Sequence, residues 1–200
     1  MKILILTPNL HCGGAERVLH LLSNEWAKCN EVIFCLFDSS DQFYSTSLKI
    51  IDLESRASNY KFYKIYNFFQ RVFKFQNHIK KTNPDLIISF TESANYVSIA
   101  SCALSGTRNN LIVSVRTNLK HFSYLTRTIV SLIYNFASKV VVPSVGSKNL
   151  LMQMGIKKSK LKVINNPVSY NLNENFFLMP STKRKPYILA VGRLSAEKGF

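Results

Sequence analysis

Short apolar runs rich in isoleucine, leucine and valine recur along the chain, and longer segments with a helical period separate them. Strands that are apolar on both faces require a parallel sheet with helices packed on its two sides. We therefore predict an α/β fold built on a doubly wound parallel sheet. The predicted strands are Lys2 to Thr7, Val32 to Phe37, Lys49 to Leu53, Leu86 to Phe90, Leu111 to Val115, Val140 to Val142 and Leu161 to Ile164.

The regular pattern ends after the last of these strands. Residues 169–186 mix Asn, Ser, Pro and a basic cluster without any period, which is typical of a linker. Residues 187–200 begin with a new apolar run, "YILAVGRL", which resembles the first strand of another βα unit. We expect a domain at 1–168, a linker at 169–186 and an incomplete second domain at 187–200, so that the chain is a truncation or a fragment.

The chain is strongly basic, with 26 Lys and Arg against 11 Asp and Glu and a formal net charge of +15. Such a surface attracts nucleic acid, acidic lipid or phosphorylated small molecules. No nucleic-acid-binding module accompanies the basic residues, so we expect no nucleic-acid partner. The four cysteines lack the spacing of a zinc site, and we expect reduced thiols and no bound metal. No apolar segment reaches the roughly 20 residues that span a bilayer.

Two glycines, Gly13 and Gly14, follow the first predicted strand and open a predicted helix. Glycines at such a junction allow backbone N–H groups to approach a phosphate, but they also form tight turns with no ligand. The third glycine of a dinucleotide fingerprint is missing. Because ligands of open α/β sheets bind beyond the carboxyl ends of the strands, the position favours a phosphate site.

Polar residues also follow later predicted strands. Glu92, Asn95, Arg116 and Asn118 occur in "SFTESANY" and "SVRTN", and they are suited to orienting a hydroxylated ligand at the same edge of the sheet. Taken alone, each of them is better explained as a helix cap or a loop residue than as a catalytic residue.

The motif "GRLSAEKGF" places two cations, Arg193 and Lys198, after the last apolar run. An arginine fork and a lysine point charge can together bind one diphosphate. Taken alone, the pair is also explained as two solvated surface cations of a basic protein.

Residues 60–81 interleave aromatic and basic side chains. A helical wheel predicts a basic amphipathic helix, which either lies in a lipid headgroup layer or covers the sheet with its aromatic face. The predicted cationic face comprises Lys61, Lys64, Arg71, Lys74, His78 and Lys81. The predicted apolar face comprises Phe62, Ile65, Tyr66, Phe69, Val72 and Phe73. The candidates for membrane contact are Lys61, Lys64, Arg71 and Lys74.

The motifs "GGAER", "ISFTESANY", "IVSVRTN", "VVPSVGSKNLL", "KVINNPV" and "AVGRLSAEKGF" occur in the order seen in GT-B glycosyltransferases of the large family-four group. The chain resembles, over its whole length, the members that build bacterial surface polysaccharides, lipopolysaccharides and lipid-linked oligosaccharides. The resemblance implies two Rossmann-like domains, of which the N-terminal one mainly binds acceptor and the C-terminal one holds a nucleotide sugar.

The resemblance also implies a reaction and its residues. Gly13 and Gly14 would approach the donor diphosphate, and Arg193 and Lys198 would act catalytically by neutralising the departing diphosphate without a metal ion. The implied donor is a nucleotide-diphosphate sugar, specifically a UDP-sugar, and the implied acceptor is a polyprenyl-diphosphate-linked glycan or a glycolipid. Transfer would retain the anomeric configuration. No cofactor is expected, and the protein would lie on the inner face of the bacterial plasma membrane, bound peripherally to its anionic surface.

The chain departs from the family pattern in two respects. Val115 stands where relatives often carry a glutamate, and the paired glutamates that grip the donor would lie beyond Phe200. We therefore expect the 200-residue chain to be inactive alone. Two alternatives stay open at this point, a truncated non-catalytic membrane-binding module and a GT-B sugar-nucleotide epimerase.

Overall fold

A computed structural model describes residues 1–107, 110–116 and 124–167 of the chain. Its strands are β1 Lys2–Thr7, β2 Glu31–Leu36, β3 Lys49–Asp52, β4 Leu86–Phe90, β5 Leu111–Ser114, β6 Lys139–Val142 and β7 Leu161–Val163. Its α-helices are α1 Gly14–Ala27, α2 Lys61–Thr82, α3 Glu92–Ser105, α4 Tyr124–Ile133 and α5 Val145–Gln153. Short 3-10 turns occur at Tyr134–Phe136 and Lys158–Lys160.

The seven strands of the described residues form one parallel sheet in the order β3-β2-β1-β4-β5-β6-β7. In its middle, Leu4 of β1 pairs with Ile33 of β2 on one side and with Ile87 of β4 on the other. The predicted α/β fold and its doubly wound parallel sheet are therefore confirmed. Strand ends differ from the prediction by one residue at most, because an apolar run does not show where the last backbone hydrogen bond to a neighbouring strand forms.

The core lies on both faces of the sheet. Alternate residues of β1 point to opposite sides, so Leu4 joins the cluster under α2 to α5, whereas Ile5 joins the cluster under α1. Val18 and Leu19 are the buried contribution of α1, and all strand residues in these clusters are nearly inaccessible to water. Burying a side chain of this size stabilises the fold by about 1.5–3 kcal/mol, which explains why the strands are apolar on both faces.

Helix α2 does not present the faces that the helical wheel predicted. Its buried side chains are Val72, Phe75 and Ile79, which lie in the C-terminal half of the helix against the sheet. Five of the six residues of the predicted apolar face are instead more than half exposed, at 78% for Phe62, 61% for Ile65, 57% for Tyr66, 53% for Phe69 and 56% for Phe73. Of the two alternatives left open for this helix, coverage of the sheet by this face is therefore excluded.

Residues Met1–Pro167 form one compact unit. The predicted linker at 169–186 and the predicted start of a second domain at 187–200 lie outside the described residues. All four cysteines are free thiols. Within the described part of the chain, no helix combines the length and the apolar character needed to cross a membrane.

Candidate functional site

A pocket of about 340 Å³ lies at the carboxyl ends of β1, β2 and β3. This is the edge at which an open α/β sheet binds its ligands. Loops after three strands, the N-terminal half of α2 and the start of α3 contribute to the lining. The described lining residues are Pro8, Asn9, His11, Phe37, Asp38, Ser55, Ala57, Ser58, Lys64, Asn67, Arg71 and Ser93.

Arg71 fixes one wall of this pocket. Its Nε donates to Ser55 Oγ at 3.0 Å, its Nη2 donates to the Ser55 carbonyl oxygen at 2.6 Å, and its guanidinium carbon lies 4.2 Å from the centre of the Phe37 ring. Burial lowers the pKa of Arg71, although an arginine stays charged at neutral pH. The guanidinium therefore holds the segment after β3 against α2.

Lys74 is also turned towards this segment. Its Nζ donates to the Leu53 carbonyl oxygen at 2.6 Å and lies 3.8 Å from Glu54 Oε2. Two of the four predicted membrane-contact cations, Arg71 and Lys74, are thus half-buried in intramolecular contacts. The other two, Lys61 and Lys64, are exposed, and Lys64 also lines the pocket.

The pocket carries a carboxylate as well as cations. Asp38 Oδ1 accepts a hydrogen bond from the Ser40 backbone N–H at 3.0 Å, and Asp38 Oδ2 lies 3.4 Å from Arg56 Nε. The hydrogen bonds from Ser40, followed by the charges of Arg56 and His11, lower the pKa of Asp38. Ionised Asp38 accepts hydrogen bonds, whereas Lys64 and Asn67 carry donors. One N–H of the Asn67 amide already donates to the Arg56 carbonyl oxygen at 2.8 Å, which leaves the second N–H for a ligand. A ligand with several hydroxyl groups finds both kinds of partner here.

The two glycines lie beside this pocket, at the start of α1. Gly13 is the N-cap residue, and a Cβ at this position would collide with the Glu16 carboxylate, which lies against the first turn of the helix. Gly14 is exposed, and the space around it is open. The backbone at Gly14 is thus accessible to a ligand, whereas the Glu16 carboxylate already lies beside Gly13.

The junction between β4 and α3 holds two further candidates. Thr91, which precedes α3, has a φ of +73°, a conformation that is unfavourable for a β-branched residue. Among the described residues, its buried Oγ1 has no hydrogen-bond partner. Glu92 follows as the first residue of α3 and is half-buried. Strained backbone of this kind is concentrated at ligand sites, so Thr91 adds to this edge a residue that sequence analysis did not name, next to the predicted Glu92.

Asn95 is not a cleft residue. It is completely buried, its Oδ1 accepts from Ser89 Oγ at 2.7 Å, and its Nδ2 donates to the Ser114 carbonyl oxygen and to Tyr134 Oη, both at 3.1 Å. The amide thus links β4, β5 and the turn after α4. Its predicted role in orienting an acceptor is corrected to a role in the core, because every one of these partners is itself buried.

Arg116 lies just after β5 and is half-buried. Its Nε donates to Ser114 Oγ at 2.8 Å, its Nη1 donates to Asn166 Oδ1 at 2.5 Å, and its guanidinium carbon is 4.8 Å from the centre of the Phe90 ring. Burial lowers its pKa. Arg116 therefore lies at the predicted edge of the sheet, next to the segment that follows β7.

Three predicted site residues, Asn118, Arg193 and Lys198, lie outside the described residues. The roles of Arg193 and Lys198 in binding a diphosphate therefore stay predictions, as does the role of Asn118 in orienting a hydroxylated ligand. In the described ranges, no three His, Cys, Asp or Glu side chains are grouped as a metal site requires. The metal independence of the reaction also stays a prediction.

Sequence analysis missed several residues of the pocket, including His11, Asp38, Asn67 and Ser93. Each is an ordinary polar residue in an irregular segment or at the exposed side of a helix. Asp38 directly follows the second predicted strand, and His11 lies in the loop after the first. This position is the one signal that could have identified them.

The fold agrees with the comparisons to known proteins. A family model described as Glycosyltransferase Family 4 matches residues 12–172. A Campylobacter jejuni α-1,4-N-acetyl-D-galactosaminyltransferase, whose name gives a glycan on PP-undecaprenol as its acceptor, is 28% identical over 201 residues. That alignment covers 99% of this chain and 54% of the relative.

Solved structures show the same fold. The apo form of the lipopolysaccharide outer core galactosyltransferase WaaB matches with a TM-score of 0.69 and 21% identity, over 86% of this chain and 47% of that one. Anabaena HepE in complex with UDP and glucose matches with a TM-score of 0.65 and 21% identity, over 84% of this chain and 45% of that one. The chain thus spans about half the length of the relatives it matches.

Proposed function

The chain belongs to glycosyltransferase family 4, and on that premise we propose that it forms the acceptor-binding side of a glycosyltransferase. The proposed enzyme transfers a sugar from a UDP-sugar to a hydroxyl group of a lipid-linked glycan, with retention of the anomeric configuration. The proposed acceptor is a polyprenyl-diphosphate-linked glycan or a glycolipid in polysaccharide or lipopolysaccharide synthesis. The name of the Campylobacter relative includes an acceptor of this kind. The similarity to a lipopolysaccharide galactosyltransferase also supports this choice of acceptor.

The pocket at the ends of β1, β2 and β3 is the observation that carries this proposal. It offers an ionised carboxylate on Asp38, an ammonium group on Lys64 and amide donors on Asn67 within one cavity of about 340 Å³. Sugar recognition needs this mixture of donors and acceptors because each hydroxyl both donates and accepts. A volume of this size lies within the usual range of small-molecule pockets, about 300–1,000 Å³.

We propose that the exposed backbone at Gly14 approaches the donor diphosphate, and that Arg193 and Lys198 neutralise the charge that develops on the leaving group. Positioning of the acceptor hydroxyl and charge stabilisation of the diphosphate together supply the catalysis, without a metal ion. The bound UDP of the Anabaena structure supports the choice of donor.

We further propose that the protein works at the inner face of the bacterial plasma membrane. Lys61 and Lys64 are exposed at the start of α2, next to the exposed rings of Phe62 and Tyr66. Cations beside exposed aromatic rings are typical of segments that lie in an anionic headgroup layer. The same helix therefore borders the acceptor pocket through Lys64 and faces the membrane that holds the acceptor lipid.

The exposed aromatic side chains of α2 also favour the second candidate, a membrane-binding module without catalysis. The two functions differ in the pocket, since a membrane module has no need of a site for hydroxyl groups. The transferase is preferred because the polar groups of Asp38, Asn67 and Lys64 converge in that pocket.

The proposal is tested by a transfer assay on the complete product of the gene that contains this sequence. A polyprenyl-diphosphate-linked glycan in detergent is incubated with each of several UDP-sugars, and the product is identified by mass spectrometry. Replacing Asn67 by Ala removes a pocket donor, together with the bond from Asn67 to the Arg56 carbonyl oxygen. It is expected to lower kcat/KM for the acceptor about tenfold, the effect of roughly one hydrogen bond to the ligand. The KM for the donor should be unchanged.

Asn77→Ala is the matched control, because Asn77 is exposed on the same helix but does not line the pocket. It should leave both kinetic constants unchanged. Retention is tested separately by NMR of the product's anomeric centre. The absence of transfer with every UDP-sugar, while the protein still binds the membrane, would instead support the membrane module.

A further inference from the structure

A second cavity, of about 560 Å³, lies between α2, α3 and α4 on the side of the sheet away from α1. Its described lining is apolar apart from the Tyr96 phenol and the Thr126 hydroxyl. Phe68 of α2 forms one side, and Ile129, Ile133 and Phe136 from α4 and the turn after it form the other. We call this cavity the apolar groove.

Exposed apolar side chains also lie on the two helices that border the groove, α2 and α4. On α2, Phe62, Tyr66, Phe69 and Phe73 follow the spacing i, i+4, i+7 and i+11. The same spacing recurs on α4 and its following turn, where Leu125 is 70% exposed and Leu132 is 66% exposed, together with Ile129 and Phe136. Residues at this spacing lie on one side of a helix, so each helix carries an apolar stripe.

Exposed apolar stripes on the two helices that border an apolar groove are typical of a surface that meets a partner. Covering such a surface contributes roughly 25 cal/mol for each Å² of apolar area that is removed from water. A partner for this surface is therefore expected.

The charge pattern identifies the chemistry of this partner. No Asp or Glu occurs between Glu54 and Asp85, the stretch that contains α2, or between Glu92 and Glu174, the stretch that contains α4. Glu92 is the one carboxylate of α3. Lys and Arg occur throughout both stretches. A surface that combines apolar stripes with cations and lacks carboxylates is complementary to a bilayer with anionic headgroups.

We propose that the apolar groove takes an acyl chain of an anionic phospholipid, which makes α4 a second membrane-contact helix beside α2. This inference rests on the proposed membrane location. The groove is suited to a hydrocarbon chain because nearly every described lining group is apolar, whereas an extended polypeptide would bring backbone N–H and C=O groups that find few partners there. The exposed cations Lys61 and Lys64 of α2 then face the phosphates of the surrounding lipid.

The groove is tested with a tryptophan reporter in the full chain. The single natural tryptophan, Trp26, packs in the cluster under α1, and Trp26→Phe removes its signal. Phe136→Trp then places a fluorophore in the groove wall. With vesicles of anionic phospholipid whose acyl chains are brominated at mid-chain, we expect about a twofold loss of emission, since the side chain reaches the acyl region. Leu132→Trp on the exposed stripe provides a second reporter.

A groove-filling variant distinguishes chain uptake from simple surface contact. Ala103 lines the groove from α3, and Ala103→Phe should block it and abolish most of the quenching at position 136, while co-sedimentation with vesicles persists. Leu104→Phe is the matched control, because Leu104 is an exposed neighbour outside the described lining, and it should leave the quenching unchanged.

The possible outcomes separate this inference from the proposals on which it rests. Vesicle binding without quenching at position 136 would overturn the groove proposal and leave the membrane location intact. An absence of vesicle binding would overturn both, while the transfer assay would still test the glycosyltransferase on its own. A reporter that is shielded from aqueous iodide before any lipid is added would show that polypeptide covers the groove, which also overturns the inference.

Discussion

The basic residues of α2 differ in what they touch, and the difference assigns them separate roles. Arg71 donates to Ser55 through two nitrogens and lies over Phe37, whereas Lys61 is exposed at the start of the helix. Sequence analysis grouped both as membrane contacts because they share one face of a helical wheel. A helical wheel does not show contacts with other segments. Arg71 bonds to Ser55, which lies 16 residues earlier in the segment after β3.

Arg71→Ala is expected to lower the free energy of unfolding by about 1–3 kcal/mol, because it removes two hydrogen bonds and leaves a buried serine group without its partner. Arg71→Lys should recover little of the lost free energy of unfolding, since an ammonium group cannot reproduce the planar, forked hydrogen-bonding geometry of a guanidinium group. Urea titration gives the free energies. Lys61→Ala is the control, with an expected change within about 0.5 kcal/mol. Equal effects at both positions would contradict the separate roles.

Asn95 shows a similar limit of sequence reasoning. An asparagine in the first turn of a helix after a strand resembles a ligand-binding residue, and the helix boundary alone does not reveal that its side chain points into the core. Only the packing of α3 on the sheet places it between Ser89, Ser114 and Tyr134. The position of Arg116 after β5 could be predicted, because a strand end fixes it directly.

Asn95→Ala should cost at least about 2 kcal/mol of unfolding free energy, because buried hydroxyl groups of Ser89 and Tyr134 lose their amide partner. Thermal and urea unfolding both report the loss. Asn77→Ala, an exposed asparagine on α2, should change stability very little. If the two variants were equally stable, the buried network would contribute nothing to the fold.

At the scale of elements, the strands were predictable and the helix faces were not. A strand buried on both sides needs apolar residues at every position, so its sequence alone identifies it. An amphipathic helix has an apolar face whether it covers a sheet or contacts another partner. The side chains of α2 that pack against the sheet are Val72, Phe75 and Ile79, whereas the aromatic stripe that begins at Phe62 is exposed. The period of the sequence cannot distinguish these two apolar sets.

The N-terminal half of α2 is expected to carry the attraction to anionic lipid. The double substitution Lys61→Glu and Lys64→Glu should weaken co-sedimentation with anionic vesicles about tenfold or more, since each cation near such a surface contributes about 1 kcal/mol. Raising the ionic strength should weaken binding of the unaltered chain in the same direction.

The corresponding double substitution of Lys80 and Lys81 is the matched control, because these lysines lie in the last turn of α2, beyond the aromatic stripe. It changes the net charge by the same amount. We expect a clearly smaller loss of vesicle binding. Equal losses for the two pairs would mean that net charge alone drives attachment and that the start of α2 has no special role.

At the scale of the whole molecule, one edge of the sheet brings together parts of the sequence that are far apart. The pocket joins residues from the loops after β1, β2 and β3 with α2 and the start of α3, which extend from Pro8 to Ser93. The parallel topology made this edge predictable as the location of a site. It did not make the pocket residues predictable, because irregular segments such as 37–48 and 53–60 adopt conformations that depend on their tertiary contacts.

The central claim is that this chain binds a lipid-linked glycan through the pocket at the ends of β1, β2 and β3. Its most direct test is the affinity of the full chain for anionic nanodiscs that contain a polyprenyl-diphosphate-linked disaccharide, compared with otherwise identical empty nanodiscs. We predict tighter binding to the loaded discs, and we predict that Asn67→Ala reduces this difference about tenfold while binding to the empty discs is unchanged. Equal affinity of the unaltered chain for loaded and empty discs would contradict the claim.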